Sequence, residues 1–368
     1  MSRFDIVGFF LLLSERGGKD YKMKKILLGG SPCTYWSIAQ TKNREVKAEG
    51  LGWELFKNYL IAKEKFNPDL FLYENNKSAA TAIKEQISKE LGVELMHINS
   101  ALVSAQQRHR FYAFNWSADI PEDRNIILSD ILENGEDLSS NDKSYCLTAS
   151  YGGAVPYNTL KRKQRTMVAT PVRVGTFGAV PSQGRRIYSI DGKSVCICAN
   201  GGGDGAHTGL YAIPHQDTSS LTIYTVKNGF IEIKGELYPI KLTDGEYIIR
   251  KLSPIECERL QTLPDNYTAG ISNAQRYKCL GNGWTAEVII HLLKAGLKNI
   301  SKKEKIIVLS MYDGIATGRY CLEKLGFKNV TYYAYEIDKY AIKVAKSNFP
   351  DIIQKGDAFN VRQANWKL

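Results

Sequence analysis

Short apolar runs alternate with amphipathic stretches over much of the first hundred or so residues. Residues 25–28 and 70–73 have the apolar density of buried strands, and 53–66 carries its apolar positions at helical spacing. Residues 79–91 read as an amphipathic helix, and Gly92 stands where a C-cap glycine closes a helix. Residues 93–98 and 111–114 complete the strands. Such alternation predicts a mostly parallel sheet with helices on both faces.

Between 117 and 247 the pattern changes to short β-like runs separated by Gly, Asn, Asp and Ser, with no long helical period. This predicts a smaller β-rich domain. Helical patterning returns after 248. Ser253 is placed as an N-cap, Pro254 at the first helical position and Glu256 three residues after the cap. A further helix is predicted over 286–295, preceded by Gly281, Asn282, Gly283 and Trp284. Residues 306–312 then form a buried-strand pattern, followed by a turn over 313–318 and a helix closed at Gly326. Two more strands end at Glu336 and at Gly356-Asp357.

The 368-residue chain is 43% hydrophobic and 24% charged, the composition of a globular protein. Its net charge of +11 suits a polyanionic partner. Seven cysteines without regular spacing argue for reduced thiols and a cytoplasmic setting. The apolar stretch 5–13 is too short to span a bilayer and lacks a small-residue cleavage site after it, so no membrane partner is expected. Residues 1–22 are taken as an N-terminal extension, with Met23 opening the folded part.

Three strand ends carry reactive side chains. The first strand runs into Gly29, Gly30, Ser31, Pro32 and Cys33; the second ends in Glu74 and Asn75; the last is approached by Gln106, Arg108 and Arg110. In open α/β sheets ligands bind at the carboxyl edge of the strands. A thiol, a carboxyl and two arginines there are the parts needed to attack an electron-poor heteroaromatic ring. The plain alternatives are a buried filler cysteine, a helix-capping glutamate and a salt-bridged arginine pair. Lys161, Arg162, Lys163, Arg165, Arg185 and Arg186 form basic loops in the middle domain, a surface for nucleic acid once placed beside that constellation. The glycine run at 201–205 neither follows a strand nor opens a helix, so it is not a phosphate loop. Cys196, Cys198, His207 and His215 lack zinc-finger spacing, and no metal is expected. The 313–318 turn has neither a G-x-G-x-x-G pattern nor a Walker lysine. With Glu336 placed for ribose hydroxyls and Asp357 for an adenine amino group, it suits a nucleoside without a phosphate chain, such as S-adenosylmethionine.

These motifs, together with Arg259, Leu260, Gln261 and Leu280, Gly281, Asn282, resemble the ordered motifs of the cytosine-C5 DNA methyltransferases. The wording of Gly29 to Cys33 and of 313–318 is closest to the de novo branch. The resemblance implies a Rossmann-like methyltransferase sheet of seven mostly parallel strands with a β-rich target-recognition domain. It implies Cys33, Glu74, Arg108 and Arg110 as catalytic residues. Cofactor contacts would come from Pro32, Asn282, Tyr312, Asp313, Gly314, Ile315, Ala316, Thr317, Gly318, Glu336, Ile337, Asp357 and Ala358. Ser37 and Gln106 would join the basic residues on DNA. Cys33 would attack C6 as a thiolate of depressed pKa, and Glu74 would hold or donate a proton at N3.

The family's cofactor motifs normally come first, whereas here they come last. This looks like a circular permutation cut between the third and fourth sheet strands. The corresponding division is an extension (1–22), a catalytic half (23–116), a target-recognition domain (117–247), closing motifs (248–296), a linker (297–305) and a cofactor half (306–368). Asn76 departs from a usual valine, Tyr312 from a usual phenylalanine, and Gly283-Trp284 from a small hydroxyl residue followed by valine. The implied enzyme is a monomer acting on double-stranded DNA in restriction–modification or phage anti-restriction, with a cognate restriction endonuclease as a further partner. A tRNA-methylating branch, with its smaller recognition segment, and an inactive DNA-binding relative are the alternatives.

Overall fold

A computed structural model of the protein describes residues 23–37, 44–133, 136–138, 142–171, 175–176, 186–187 and 223–368. In chain order the elements begin with β1 (Lys24–Gly29), α1 (Gly50–Phe66), β2 (Leu70–Asn76), α2 (Thr81–Leu91), β3 (Leu95–Asn99) and β4 (His109–Phe114). The middle of the chain holds β5 (Glu136–Asp137), α3 (Pro156–Leu160), β6 (Met167–Pro171), β7 (Gly175–Thr176), β8 (Arg186–Ile187), β9 (Ile223–Lys227), β10 (Phe230–Ile233), β11 (Glu236–Pro239) and β12 (Gly245–Lys251). The remainder is α4 (Pro254–Leu260), α5 (Asn273–Asn282), α6 (Ala286–Gly296), β13 (Ile306–Met311), α7 (Thr317–Lys324), β14 (Val330–Tyr335), α8 (Lys339–Asn348) and β15 (Ile353–Gly356).

The fold is mixed α/β, built on a large, mostly parallel sheet. Seven strands lie in the order β15-β14-β13-β1-β2-β4-β3. β1 pairs in parallel with β13 on one side and β2 on the other, while β4 runs antiparallel to both β2 and β3. The register decides the site: Gly29 stands beside Met311 and Tyr73, and Met311 beside Tyr335. The turns that follow Gly29, Met311 and Tyr335 therefore leave the sheet at one level, beside the last residues of β2.

Local chemistry explains the helices. α1 buries Trp53, Phe56, Tyr59, Ala62 and Phe66 at spacings of three to four, and Asn67 (φ 46°) ends it in the left-handed region. α2 buries Ile83, Ile87 and Leu91 and is closed by Gly92 at φ 70°, as the sequence predicts. Ser253 caps α4 by accepting from the Glu256 N–H, and Glu256 answers by accepting from Ser253 N–H at 2.7 Å. Removing such a cap costs about 1 kcal/mol. α5 was not anticipated: Gly281 and Asn282 form its last turn rather than a loop before α6.

A second, antiparallel sheet has the order β11-β10-β9-β12-β6-β5, beside a two-stranded pair of β7 and β8. β12 continues this sheet to Lys251, past the expected limit at 247. Leu28 and Val308 of the large sheet, and Val168 and Ile231 of the smaller one, belong to one continuous core. No helix among the described residues is long and apolar enough to cross a membrane.

Candidate active site

The turn after β1 is shaped by close approach. A side chain at Gly29 would place its Cβ 2.8 Å from Met311 O, and one at Gly30 would lie 2.7 Å from Glu74 O. Only glycine admits neighbouring strands at that distance. Asn75 holds the turn from below: its Nδ2 donates to Ser31 O and to the Tyr73 hydroxyl, each at 2.9 Å, within a buried cluster that includes the 2.7 Å Ser31–Tyr73 hydroxyl pair. Pro32, exposed, then leads into a short 3-10 turn, where Trp36 N–H donates to Cys33 O at 3.1 Å.

Glu74 lies near the end of β2, which runs on through Asn75 to Asn76, and is nearly buried, at 9% exposure. Its two carboxylate oxygens have separate partners. Arg110 Nε lies 2.9 Å from Oε1, and Trp284 Nε1 donates to Oε2 at 3.0 Å. Cys33 is half-buried beside this group. Burial pushes its thiol up, Arg110 pulls it back down, Glu74 opposes that pull, and the net shift is upward. The depressed thiol expected from sequence is thus absent before substrate arrives, because desolvation outweighs the arginines. Cys146, which the sequence did not mark, also faces both arginines. Burial raises its thiol, yet Arg108 and Arg110 together carry it below the ordinary cysteine value.

The two arginines have different roles, which corrects the sequence reading. Arg110 meets Glu74, whereas Arg108 is 3% exposed and its terminal nitrogens are committed to backbone. Nη1 donates to Leu147 O at 2.9 Å, and Nη2 to Gly281 O and Gly283 O at 3.1 and 2.7 Å. Arg108 is therefore a strut between β4, the middle domain and the end of α5. Gln106 likewise is fully buried: it donates to Leu260 O at 3.0 Å and accepts from Leu147 N–H at 2.8 Å. It is out of reach of DNA, contrary to expectation.

A second cluster surrounds residues 312–318. Tyr312, Gly314 and Ala316 have φ of 59, 63 and 62°, so two non-glycine residues are held in the left-handed region. Strain of this kind persists where surroundings enforce it. The Tyr312 hydroxyl, which a phenylalanine would lack, donates to Leu55 O at 2.7 Å and accepts from Asn58 Nδ2 at 3.1 Å, tying the turn to α1. Glu336 fastens the other side. Its Oε2 accepts from Gly314 N–H, and its Oε1 from Ile337 and Asp338 N–H, all at 2.8 Å.

Several features of this cluster remain open toward a ligand. Asp313 is half-buried, with Oδ1 receiving the Tyr332 hydroxyl at 2.7 Å and the buried Oδ2 without a partner. Burial pushes its carboxyl up to about 7, against the hydrogen bonds from Ser310 and Tyr332. A Cβ at Gly314 would meet nothing within 4 Å. Ile337, beside Glu336, is 73% exposed, and Asp357 is exposed where β15 ends. Ile315, Ala316, Thr317, Gly318 and Ala358 are buried around the turn, and Asn282 is exposed at the end of α5.

Residues 13–298 match the family model for C-5 cytosine-specific DNA methylase. The chain belongs to that family. Its activity is accordingly that of a DNA cytosine-C5 methyltransferase, an enzyme class that uses S-adenosylmethionine. The methylase is similar to the orphan methyltransferase M.SPRI of Bacillus phage SPR, at 24% identity over 76% of this chain and 84% of that protein. It is also similar to the type II methyltransferase M.HhaI of Haemophilus parahaemolyticus, at 27% identity over 75% of each. The type II methyltransferase M.Sau3AI of Staphylococcus aureus is 22% identical over 73% of this chain and 76% of its own length.

The basic residues expected on DNA are unequal in this methylase. Lys161 is paired with Glu236 at 2.9 Å, and Arg165 donates to Gly153 O at 3.2 Å and to Ser150 Oγ at 3.1 Å. Arg162 stacks over Tyr157, and Lys163 is exposed. Ser37 N–H donates to Cys33 O at 3.0 Å, which keeps Ser37 next to the turn that carries Cys33. Arg185 lies outside the described residues, as do the side chain of Arg186, the glycine run at 201–205 and the Cys196, Cys198, His207 and His215 set. Among the described residues no group of three or more His, Cys, Asp or Glu is placed to hold a metal. Trp284, whose indole meets Glu74, was not among the site residues read from the sequence; its only signal was a departure from the usual valine.

Proposed function

We propose that this methylase transfers a methyl group to C5 of a cytosine flipped out of a short, specific sequence in double-stranded DNA, through a covalent bond from Cys33 Sγ to C6. The observation that carries the reading is the meeting of Cys33, Glu74 and Arg110 at the sheet edge from which the 312–318 turn also leaves. Cytosine C5 is too weak a nucleophile until a thiolate adds to C6. Cys33 supplies that thiolate, and Glu74 delivers a proton to N3, which takes up the displaced electron pair. Arg110 steadies Glu74 and is the guanidinium nearest the base. After transfer, C5 loses its proton to a base, the electron pair expels the Cys33 thiolate, and N3 returns its proton to Glu74. Flipping the base out of the stack costs a few kcal/mol, which phosphate contacts must offset.

S-adenosylmethionine, when bound, supplies the electrophilic methyl that C5 takes up and leaves as S-adenosylhomocysteine. The residues around 312–318 fit it. Glu336 retains lone pairs for the ribose hydroxyls, Ile337 offers an apolar face for adenine, Asp357 suits the adenine amino group, and the partnerless Asp313 Oδ2 awaits a donor. No step in this scheme requires a metal.

The strand order supports a circular permutation. The family match stops at residue 298, yet β13 to β15, which carry the cofactor cluster, complete the same sheet beside β1. In this reading 23–116 and 252–368 form the catalytic domain, with 297–305 as its new connector, and the middle segment ending with β12 reads the DNA target. The wording of 313–318 favours the de novo branch of the family. The relatives, an orphan phage enzyme and type II enzymes, support a role in restriction–modification or phage protection within a bacterial cytoplasm.

DNA bearing 5-fluorocytosine at the target tests the scheme. Fluorine does not leave as a proton does, so elimination stalls and the thioether persists. The wild type is expected to give a denaturant-resistant protein–DNA band and Cys33→Ser none. Trapping that survives Cys33→Ser, or that maps to Cys146, overturns the mechanism.

A further inference from the structure

We infer that Trp284 is a positioning residue that aims the Glu74 carboxyl and holds it in register with the cofactor turn. This rests on the methylation scheme proposed above. The indole spans two parts of the molecule far apart in sequence. At one end its Nε1–H donates to Glu74 Oε2 at 3.0 Å while Arg110 takes Oε1 at 2.9 Å. A carboxylate held by one donor keeps a broad terminal torsion; two donors on different oxygens fix its plane. The same corner is closed by the catalytic turn, where a Cβ at Gly30 would lie 3.1 Å from Glu74 Oε2 and 3.5 Å from the indole nitrogen.

At its other end the six-membered ring lies against the first turn of α7. A Cβ built at Gly318 would be 3.7 Å from Trp284 Cζ3, in a space already bounded by the Tyr332 hydroxyl and Leu28 Cδ1 at 2.8 and 2.9 Å. Gly318 closes the 313–318 turn, so the indole is a wall shared by the proton donor and the proposed cofactor site. Its backbone is held as well: Arg108 grips Gly281 O and Gly283 O, and Gln261 Nε2 donates to Leu280 O at 2.6 Å. Tryptophan suits this task because it spans a long distance with two side-chain torsions. A valine in its place has neither the reach nor the N–H.

Trp284 does not touch the reacting ring in this scheme; it acts through Glu74. Trp284→Phe keeps the ring and deletes the donor. The variant is expected to lose roughly ten- to a hundred-fold in kcat, with KM for DNA and cofactor affinity by calorimetry within about two-fold of wild type. In a Glu74→Ala background the same substitution should change the 5-fluorocytosine trapping rate by less than two-fold, since the acceptor is gone. A spectroscopic arm is independent of activity. The chain has five tryptophans, and the indole N–H resonance deleted by Trp284→Phe should move in Glu74→Ala. Multiplicative losses in the double variant, or an indole resonance unmoved by Glu74→Ala, overturn the assignment. A wild type that neither methylates nor traps while that resonance still responds to Glu74→Ala overturns the methylation scheme and, with it, this role.

Discussion

Gly29 and Met311 stand side by side at the ends of adjacent parallel strands, although about three quarters of the chain separates them in sequence. The turn after Gly29 carries Cys33; the turn after Met311 carries the proposed cofactor cluster. Each half of the proposed chemistry is thus encoded at a different end of the chain, and the sheet brings the two together.

If the chain is one rotated sheet, residues 300–368 joined through a short linker to 24–299 should fold and methylate DNA. The geometry favours a short join. Lys65 Nζ donates to Val361 O and Gln363 O at 2.8 Å, and Lys25 Nζ donates to Phe66 O at 3.1 Å, so the last residues lie against the end of α1 that also meets the start of β1. An unfolded or inactive product, with the native order active, would count against the permutation.

Glu336→Ala is expected to weaken S-adenosylmethionine binding by roughly 1.5–3 kcal/mol, the worth of hydrogen bonds to a charged group. The loss has two sources, the ribose contact and the N–H of Gly314 that Glu336 now holds. Isothermal calorimetry reads it directly, and unchanged affinity would remove Glu336 from the cofactor site.

The thiols should separate on alkylation. Cys146 ionises below the ordinary cysteine range, while Cys33 ionises above it. Iodoacetamide labelling followed by mass spectrometry across pH 6–10 should therefore show Cys146 reacting with an earlier pH midpoint than Cys33. Arg110→Met should move both midpoints upward, because the same guanidinium favours both thiolates. Identical midpoints in the wild type would refute the electrostatic account.

Asp313 makes stability fall with rising pH. Its folded pKa is about 7 against an ordinary 3.8, so the native state binds more protons between those values than the unfolded chain does. The buried carboxyl imposes no such cost below about pH 4; the cost grows as pH rises toward 7 and is constant above it. Unfolding free energies from urea titrations should decline across this window, by an amount on the order of a few kcal/mol for this group alone. Asp313→Asn should flatten that slope, and a slope identical to wild type would assign the pH dependence elsewhere.

The sequence by itself determined whatever neighbours within about a helical turn decide. The period of α1, the capping box of Ser253 and Glu256, the closing Gly92 and the strand ending at Gly29 were all legible, as were the strands that carry Glu74 near the end of one and Glu336 just beyond the other, because each follows from side-chain spacing or from backbone conformations that only certain residues tolerate. Cys33 was legible for the same reason, because Gly29 and Gly30 before it mark a close turn at a strand end, and Glu74 because it follows the apolar run of β2. What tertiary structure decided is which donor meets which acceptor. Arg108 and Arg110 look equivalent in the chain, yet carbonyls from Leu147, Gly281 and Gly283 claim one and Glu74 the other. Gln106 looked like a surface residue until Leu260 and Leu147 enclosed it. Trp284 registered only as a departure from pattern, because the carboxylate it meets lies more than two hundred residues away, on β2. Spacing encodes conformation locally; partners contributed by distant segments exist only once the sheet has closed.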